Sequence, residues 1–298
     1  MNLKGIYLAL TTLAVFDAAC CLQAQDTNLT FQATQAAAEK RDAKAQYELG
    51  NLYEKQRSYV KAAEYWRKSA EQGYAPAEAA TGYAFGTGKG MGRNMASAIM
   101  WYRKAADHGY ALAEYAMGNF YATGRGVTND MAQALEWWHK AADQNQPDAE
   151  TAIGDYHFIA SPERGTNNLN YEEAVKWFRR AASHGSAAAM NYLGLAYAGG
   201  MGVNVDQKES ARWYLMAAER GDARAEANIG QCYLDGRGVP YDPVQAYKWF
   251  KISSNQGCFL GDKGLENFNG SGLLKPRQLA DAEQMALDFR PVPPTNQP

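Results

Sequence analysis

The 298-residue chain is 46% hydrophobic and 21% charged, with a formal net charge of -2 at pH 7. Enough apolar surface to build a core excludes a disordered chain, and the charge balance excludes a basic nucleic-acid binder.

Residues 1–25 differ in kind from the rest of the chain. Lys4 gives a short positive start, Gly5 to Phe16 is an apolar run, and Ala18-Ala19-Cys20 to Leu22-Gln23-Ala24 offers small residues for cleavage, which reads as a secretory signal peptide. The run falls short of the roughly 20 apolar residues of a membrane span. An unprocessed N-terminal helix is the structural alternative, and Cys20 or Cys21 is a candidate lipid-attachment cysteine that would make the protein a lipoprotein. The expected destination is export, to the periplasm or the medium. Residues 26–42 then form a capping helix, because Ala37-Ala38-Glu39-Lys40 matches the later helix end Ala217-Ala218-Glu219-Arg220.

From Ala43 to Cys258 one pattern recurs six times. Its landmark glycine falls at Gly50, Gly82, Gly118, Gly154, Gly194 and Gly230, at intervals of 32, 36, 36, 40 and 36 residues. A period in the thirties marks a solenoid, in which each unit touches only its neighbours and 298 residues need not split into separate folds. Each unit opens with spaced alanines such as Ala111 and Ala113, and an aromatic follows the glycine by three residues, at Tyr53, Phe85, Tyr121, Tyr197 and Tyr233. That spacing puts small residues and the ring on one face of a first helix, A. A Gly-x-Gly turn follows in four units, at Gly88, Gly124, Gly200 and Gly236. Asp130, Asn170, Asp206 and Asp242, each with Gln or Glu three residues on, then cap a second helix, B. Helix B carries an aromatic pair in every unit, from Tyr65-Trp66 to Trp249-Phe250, and stops at Gly73, Gly109, Asn145, Gly185, Gly221 or Gly257. Unit one lacks the glycine turn. Unit four is four residues longer, with Ser161 to Gly165 in place of the turn and His157 in place of the aromatic.

Beyond Cys258 the pattern decays. Residues 259–290 hold a degenerate A-like segment and an amphipathic closing helix from Pro276 to Phe289, with Leu279, Ala282, Ala286 and Phe289 on one stripe. Residues 291–298 are proline-rich and read as a loose tail.

The Ala-x-Ala opening, the Leu-Gly-x-x-Tyr run (Leu49-Gly50 to Tyr53; Leu193-Gly194 to Tyr197), the Gly-x-Gly-Val turn and the Trp-aromatic-x-x-Ala-Ala ending together resemble the Sel-one-like repeat, a relative of the tetratricopeptide repeat. The resemblance implies an all-α fold, a right-handed α-solenoid of about six antiparallel helix pairs with terminal capping helices. It implies an adaptor that binds a protein or peptide along the inner, concave face lined by the A helices. Candidate groove residues on that face are Glu78, Glu114, Glu150 and Glu226 after the second alanine, with Tyr115 and Asn191 beside that position, and Tyr83, Asn119, Asp155 and Gln231 five residues on from it. An acidic row would favour a partner bearing Lys or Arg. The competing explanation is that a glutamate in a first helical turn is stabilised by the helix dipole wherever it points.

No catalytic nucleophile, metal-ligand spacing or phosphate loop is marked, so no cofactor and no metal are expected, and the chain is expected to act as a monomer. A cysteine-rich branch of the same family is associated with penicillin binding and weak β-lactamase activity. That is the enzymatic alternative, although its disulfide in each helix pair is missing here. Cys232 and Cys258 sit at opposite ends of a hairpin, separated by roughly 13 Å at ~1.5 Å per helical residue. A disulfide needs α-carbons within about 7 Å, so two thiols are expected.

Overall fold

The computed structural model describes residues 30–159 and 170–293, and among these every regular element is an α-helix. The signal peptide, Cys20, Cys21 and the segment around Ser161 to Gly165 lie outside the described residues. Two compact units meet between Asn129 and Asp130.

The first unit holds α1 (30–39), α2 (Ala43–Lys55), α3 (Tyr59–Ala70), α4 (Ala75–Thr87), α5 (Met95–Asp107) and α6 (Ala111–Thr123). The second holds α7 (Met131–Asp143), α8 (Pro147–Phe158), α9 (Tyr171–Ser183), α10 (Ala187–Gly199), α11 (Gln207–Glu219), α12 (Ala223–Asp235), α13 (Pro243–Asn255), α14 (Phe259–Glu266) and α15 (Pro276–Asp288). Successive helices from α2 to α6 and from α7 to α14 pack on one another and α15 packs on α13, so each unit is an all-α solenoid of stacked hairpins. The even-numbered helices α2 to α12 are the A helices and their odd-numbered partners the B helices.

The turns follow the glycines. Gly88, Gly124, Gly200 and Gly236 close their A helices in the left-handed conformation, at φ 78°, 66°, 70° and 67°. The second glycine of the turn has a different task. Gly90, Gly202 and Gly238 lie against the first residue of the preceding repeat's B helix, at Tyr59, Tyr171 and Gln207, where any side chain would overlap backbone. Asn94, Asp130, Asn170, Asp206 and Asp242 accept backbone N–H bonds as N-caps.

In five of the repeats a backbone clamp ties the start of helix B to helix A. The N-cap N–H of helix B donates to the carbonyl of the aromatic on helix A: Asn94 to Phe85 at 2.9 Å, Asp206 to Tyr197 and Asp242 to Tyr233 at 3.0 Å. The short first repeat keeps it as Ser58 to Tyr53 at 2.9 Å, and the long fourth as Asn170 to His157 at 3.1 Å. His157 therefore takes the aromatic's place in the clamp.

The landmark glycines are sites of close approach. In five hairpins the second ring of the aromatic pair lies against the glycine: Trp66 on Gly50, Tyr102 on Gly82, Phe178 on Gly154, Tyr214 on Gly194 and Phe250 on Gly230. Any Cβ at these glycines would meet the ring, at 2.8 Å for Gly82 and 3.0 Å for Gly230. The rings are core: Phe178 and Phe250 are essentially inaccessible. The first ring of the pair is capped by a cation instead, with Lys104 over Trp101 at 4.3 Å, Lys140 over Trp137 at 4.2 Å and Arg180 over Trp177 at 5.4 Å.

The ends are sealed by the capping helices. On α1, Ala38 is buried against Ala45 and Leu49, and Phe31 meets Tyr53 edge-on. On α15, Ala282 and Ala286 face inward and the Phe289 ring packs on Trp249 at 5.3 Å. The start of the expected tail is held: Val292 N–H donates to the Glu219 carbonyl at 2.7 Å, and Pro291 sits beside Gly221.

Candidate binding surface on the A helices

The four glutamates do not line an open groove. Glu78, Glu114, Glu150 and Glu226 are 0–5% exposed, which corrects the expected acidic row. The side chains of Glu78, Glu150 and Glu226 turn inward to the open end of the hairpin, where the last residues of the B helix arrive. Glu78 Oε2 lies 2.8 Å from His108 Nδ1, Glu150 Oε1 2.6 Å from Arg180 Nε and its Oε2 2.8 Å from His184 Nδ1, and Glu226 accepts from Gln256 Nε2 at 2.7 Å. The first repeat makes the same latch with amides, Gln72 Nε2 to Gln46 Oε1 at 2.8 Å. The carboxylates of Glu78, Glu150 and Glu226 are thus buried acceptors with a partner 30 or 34 residues away, and desolvation pushes the Glu226 carboxyl up to about 7.

The other candidates separate. Asn191 is buried and accepts from Asn228 Nδ2 at 2.9 Å, while half-buried Asp155 accepts from the Tyr192 hydroxyl at 2.7 Å. Tyr115 and Asn119 are half-buried on α6. Gln231 lines a cavity of about 480 Å³ with Asn228 and Lys263 near the C-terminal cap. Tyr83 alone reaches the feature that best suits a partner.

That feature is a groove of about 370 Å³ on the A-helix side of the first unit, lined by Tyr47, Asn51 and Glu54 from α2, Trp66, Tyr83 from α4, Tyr102, Tyr110, and Leu112 and Ala116 from α6. Tyr47 meets Tyr74 edge-on at 5.6 Å, and the Trp66 indole donates to Asn51 Oδ1 at 2.8 Å. Burial pushes Tyr102 up to about 12 and raises Tyr110, whose neighbours Tyr47 and Tyr74 add to the effect. These phenols stay protonated donors at neutral pH.

One sequence signal could have found it. The residue before each A helix is its N-cap, and Asp42, Gln146, Ser186 and Asp222 use their side chains to accept backbone N–H groups. Tyr74 and Tyr110 occupy the same position in two consecutive repeats and cap nothing. Each gives up roughly 1 kcal/mol of capping energy to place a ring at that position. The Tyr74 ring packs instead against Ala70, Ala77 and Trp101 in the core, while the Tyr110 ring lines the groove.

Among the described residues no group of three or more His, Cys, Asp or Glu is placed to hold a metal ion, and no helix is long and apolar enough to cross a membrane. Cys232 and Cys258 are free thiols, the first buried.

Stacked helical hairpins with glycine-closed turns define an all-α tandem-repeat protein. The Sel1 repeat model matches residues 43–74, 75–110, 111–146, 147–186, 187–222 and 223–258, and the chain belongs to the Sel1 repeat family. It is similar to a protective antigen of uropathogenic Escherichia coli with an SLR fold, at 30% identity and TM-score 0.73 over 88% of this chain and 56% of that one. The chain therefore spans little more than half the length of that relative. A Sel1 repeat protein from Oxalobacter formigenes is 32% identical, with TM-score 0.69 over 82% of this chain and 100% of that one. An immunity protein of Pseudomonas aeruginosa shares the fold alone, at 19% identity and TM-score 0.50 over 83% and 81% of the two chains. No curated protein matches the chain.

Proposed function

We propose that the protein is an exported adaptor that holds a protein or peptide partner in the tyrosine-lined groove of its first unit. The observation that carries this reading is Tyr110, which forgoes capping and lines the groove with the rings of Tyr47, Tyr83 and Tyr102. Tyrosine supplies large, rigid contact area with a polar tip at little entropic cost, which suits recognition better than it suits a helix start. Glu54 in the lining gives a preference for a partner bearing Lys or Arg, a role the sequence assigned to the buried glutamates. Export rests on the apolar N-terminal run and its small-residue cleavage sites.

A photo-crosslinking residue in place of Leu112, which is 50% exposed at the groove, tests the reading in the source cell. The same residue at Val205, 61% exposed in the second unit, is the control. Discrete adducts from the first position and none from the second are expected; equal adducts from both, or none from Leu112, would refute the groove. Sequencing the N-terminus of the mature protein tests export, since an uncleaved Met1 would overturn it.

A further inference from the structure

We infer that the Glu226–Gln256 contact is a proton-operated catch, which holds the end of the sixth hairpin shut beneath α14 while Glu226 is neutral and loosens when Glu226 ionises. The same place in other repeats is closed by pairs that treat charge differently. Glu150 meets Arg180 Nε at 2.6 Å and His184 Nδ1 at 2.8 Å, and Glu78 meets His108 Nδ1 at 2.8 Å, so each has a partner able to carry positive charge. Gln46 and Gln72 form a pair with no charge at all. The sixth repeat sets a carboxyl that is 0% exposed against a neutral amide, with Gln256 Nε2 at 2.7 Å from Oε1 and 2.9 Å from Oε2.

A buried carboxylate without a cation is costly, and the group avoids that cost by keeping its proton. Protonated, it can donate to the amide oxygen while accepting from the amide nitrogen, a two-bond ring that a carboxylate cannot form. The surroundings supply no compensating charge. Asp222, the N-cap of the same helix, opposes ionisation. Among the elements packed on α12, α10 carries no charged residue. Arg220 at the end of α11 donates to the Met216 carbonyl at 3.0 Å, and Asp262 on α14 accepts from Ser254 Oγ at 2.6 Å. Neither acts on Glu226, nor do Glu219 of α11, Lys248 and Lys251 of α13 or Lys263 of α14. Burial accordingly pushes the carboxyl up to about 7, against the hydrogen bond from Gln256.

The catch reaches the next helix through two residues. Gln256 is followed by Gly257 and by Cys258, the N-cap of α14. Gly261 of α14 lies so close to the end of α13 that a Cβ on it would stand 2.5 Å from the Ser254 nitrogen. α14 in turn is a wall, through Leu260, Lys263 and Asn267, of the cavity of about 480 Å³ that Gln231 lines from α12. Ionising Glu226 therefore loosens the seat of that wall. Opening returns the carboxyl to water and to its ordinary 4.5, so between 4.5 and about 7 each opening releases a proton. Opening then becomes easier by up to about tenfold per pH unit as the pH rises through that window.

Hydrogen exchange of the full chain, read by mass spectrometry at pH 5, 6, 7 and 8 and corrected for the chemical exchange rate, tests the catch. Protection over residues 252–264 should fall by up to about tenfold per unit from pH 5 to 7 and level off above. Glu226→Gln, which rebuilds the neutral amide pair of the first repeat, should hold protection level across the range. Gln256→Arg, which gives the carboxylate a cation, should remove the decline independently. A level wild-type profile, a decline that survives in both variants, or a decline of equal size throughout α8 to α12 would overturn the catch.

Discussion

Two glycines on one helix test why the landmark position is glycine. Gly82 and Gly86 both lie in α4, one turn apart, and both are helical. On propensity alone, alanine at either should stabilise, by about 0.5–1 kcal/mol. Their surroundings differ. A Cβ on Gly82 would stand 2.8 Å from Tyr102 Cδ2 and 3.1 Å from the Ala98 carbonyl oxygen, and that backbone cannot swing away. A Cβ on Gly86 would meet only the Ala98 methyl, at an ordinary 3.6 Å. Overpacking a close contact of the first kind costs about 1–3 kcal/mol. Gly82→Ala should therefore destabilise by about 1 kcal/mol and Gly86→Ala stabilise by about 0.5 kcal/mol, with opposite signs on neighbouring turns. Urea unfolding followed by circular dichroism measures both. The Gly82 loss should shrink in a Tyr102→Ala background, because the ring supplies the closer of the two contacts and the Ala98 carbonyl only the other. Equal stabilisation by the two alanines, or a Gly82 cost indifferent to Tyr102, would refute the packing argument.

Glu226 carries a pH signature. Its folded pKa of about 7 lies above the ordinary 4.5, raised by burial and by Asp222 against the hydrogen bond from Gln256, so between those values the native chain binds the extra proton. Stability should fall as pH rises from 4.5 to about 7, by about 3 kcal/mol at most. Glu226→Gln, compared with wild type by urea midpoint across that window, should flatten the decline; parallel curves would sink the assignment. Asp206 caps α11 through the N–H groups of Lys208 and Glu209, so Asp206→Ala should cost about 1 kcal/mol, read by thermal melting. Cys232 is buried with its thiol pushed up to about 11, while Cys258 is half-buried. Peptide mapping after alkylation at pH 8 should find Cys258 modified first and Cys232 only once urea opens the second unit.

What the sequence disclosed divides along the range of the interactions. Glycine turns, N-caps, helix stops and the aromatic pair are set by residues a few positions apart, and six copies repeat the evidence; among the described residues they stand where the pattern puts them. The glutamates were misplaced because a polar residue in a first helical turn looks solvent-facing, and its partner arrives only 30 or 34 residues later, at His108, His184 or Gln256. Yet that pairing was legible in principle, since Gln46, Glu78, Glu150 and Glu226 each face the Gln or His that stands one residue ahead of the helix stop, at Gln72, His108, His184 and Gln256. The groove was harder, because it is a property of three consecutive A helices and of no single repeat. Pattern matching averages over copies, and so discards the departures by which one copy differs from another. Tyr74 and Tyr110 are such departures, and in a solenoid whose shape is set by its repeated positions it is positions like these that make one stretch of surface differ from the next.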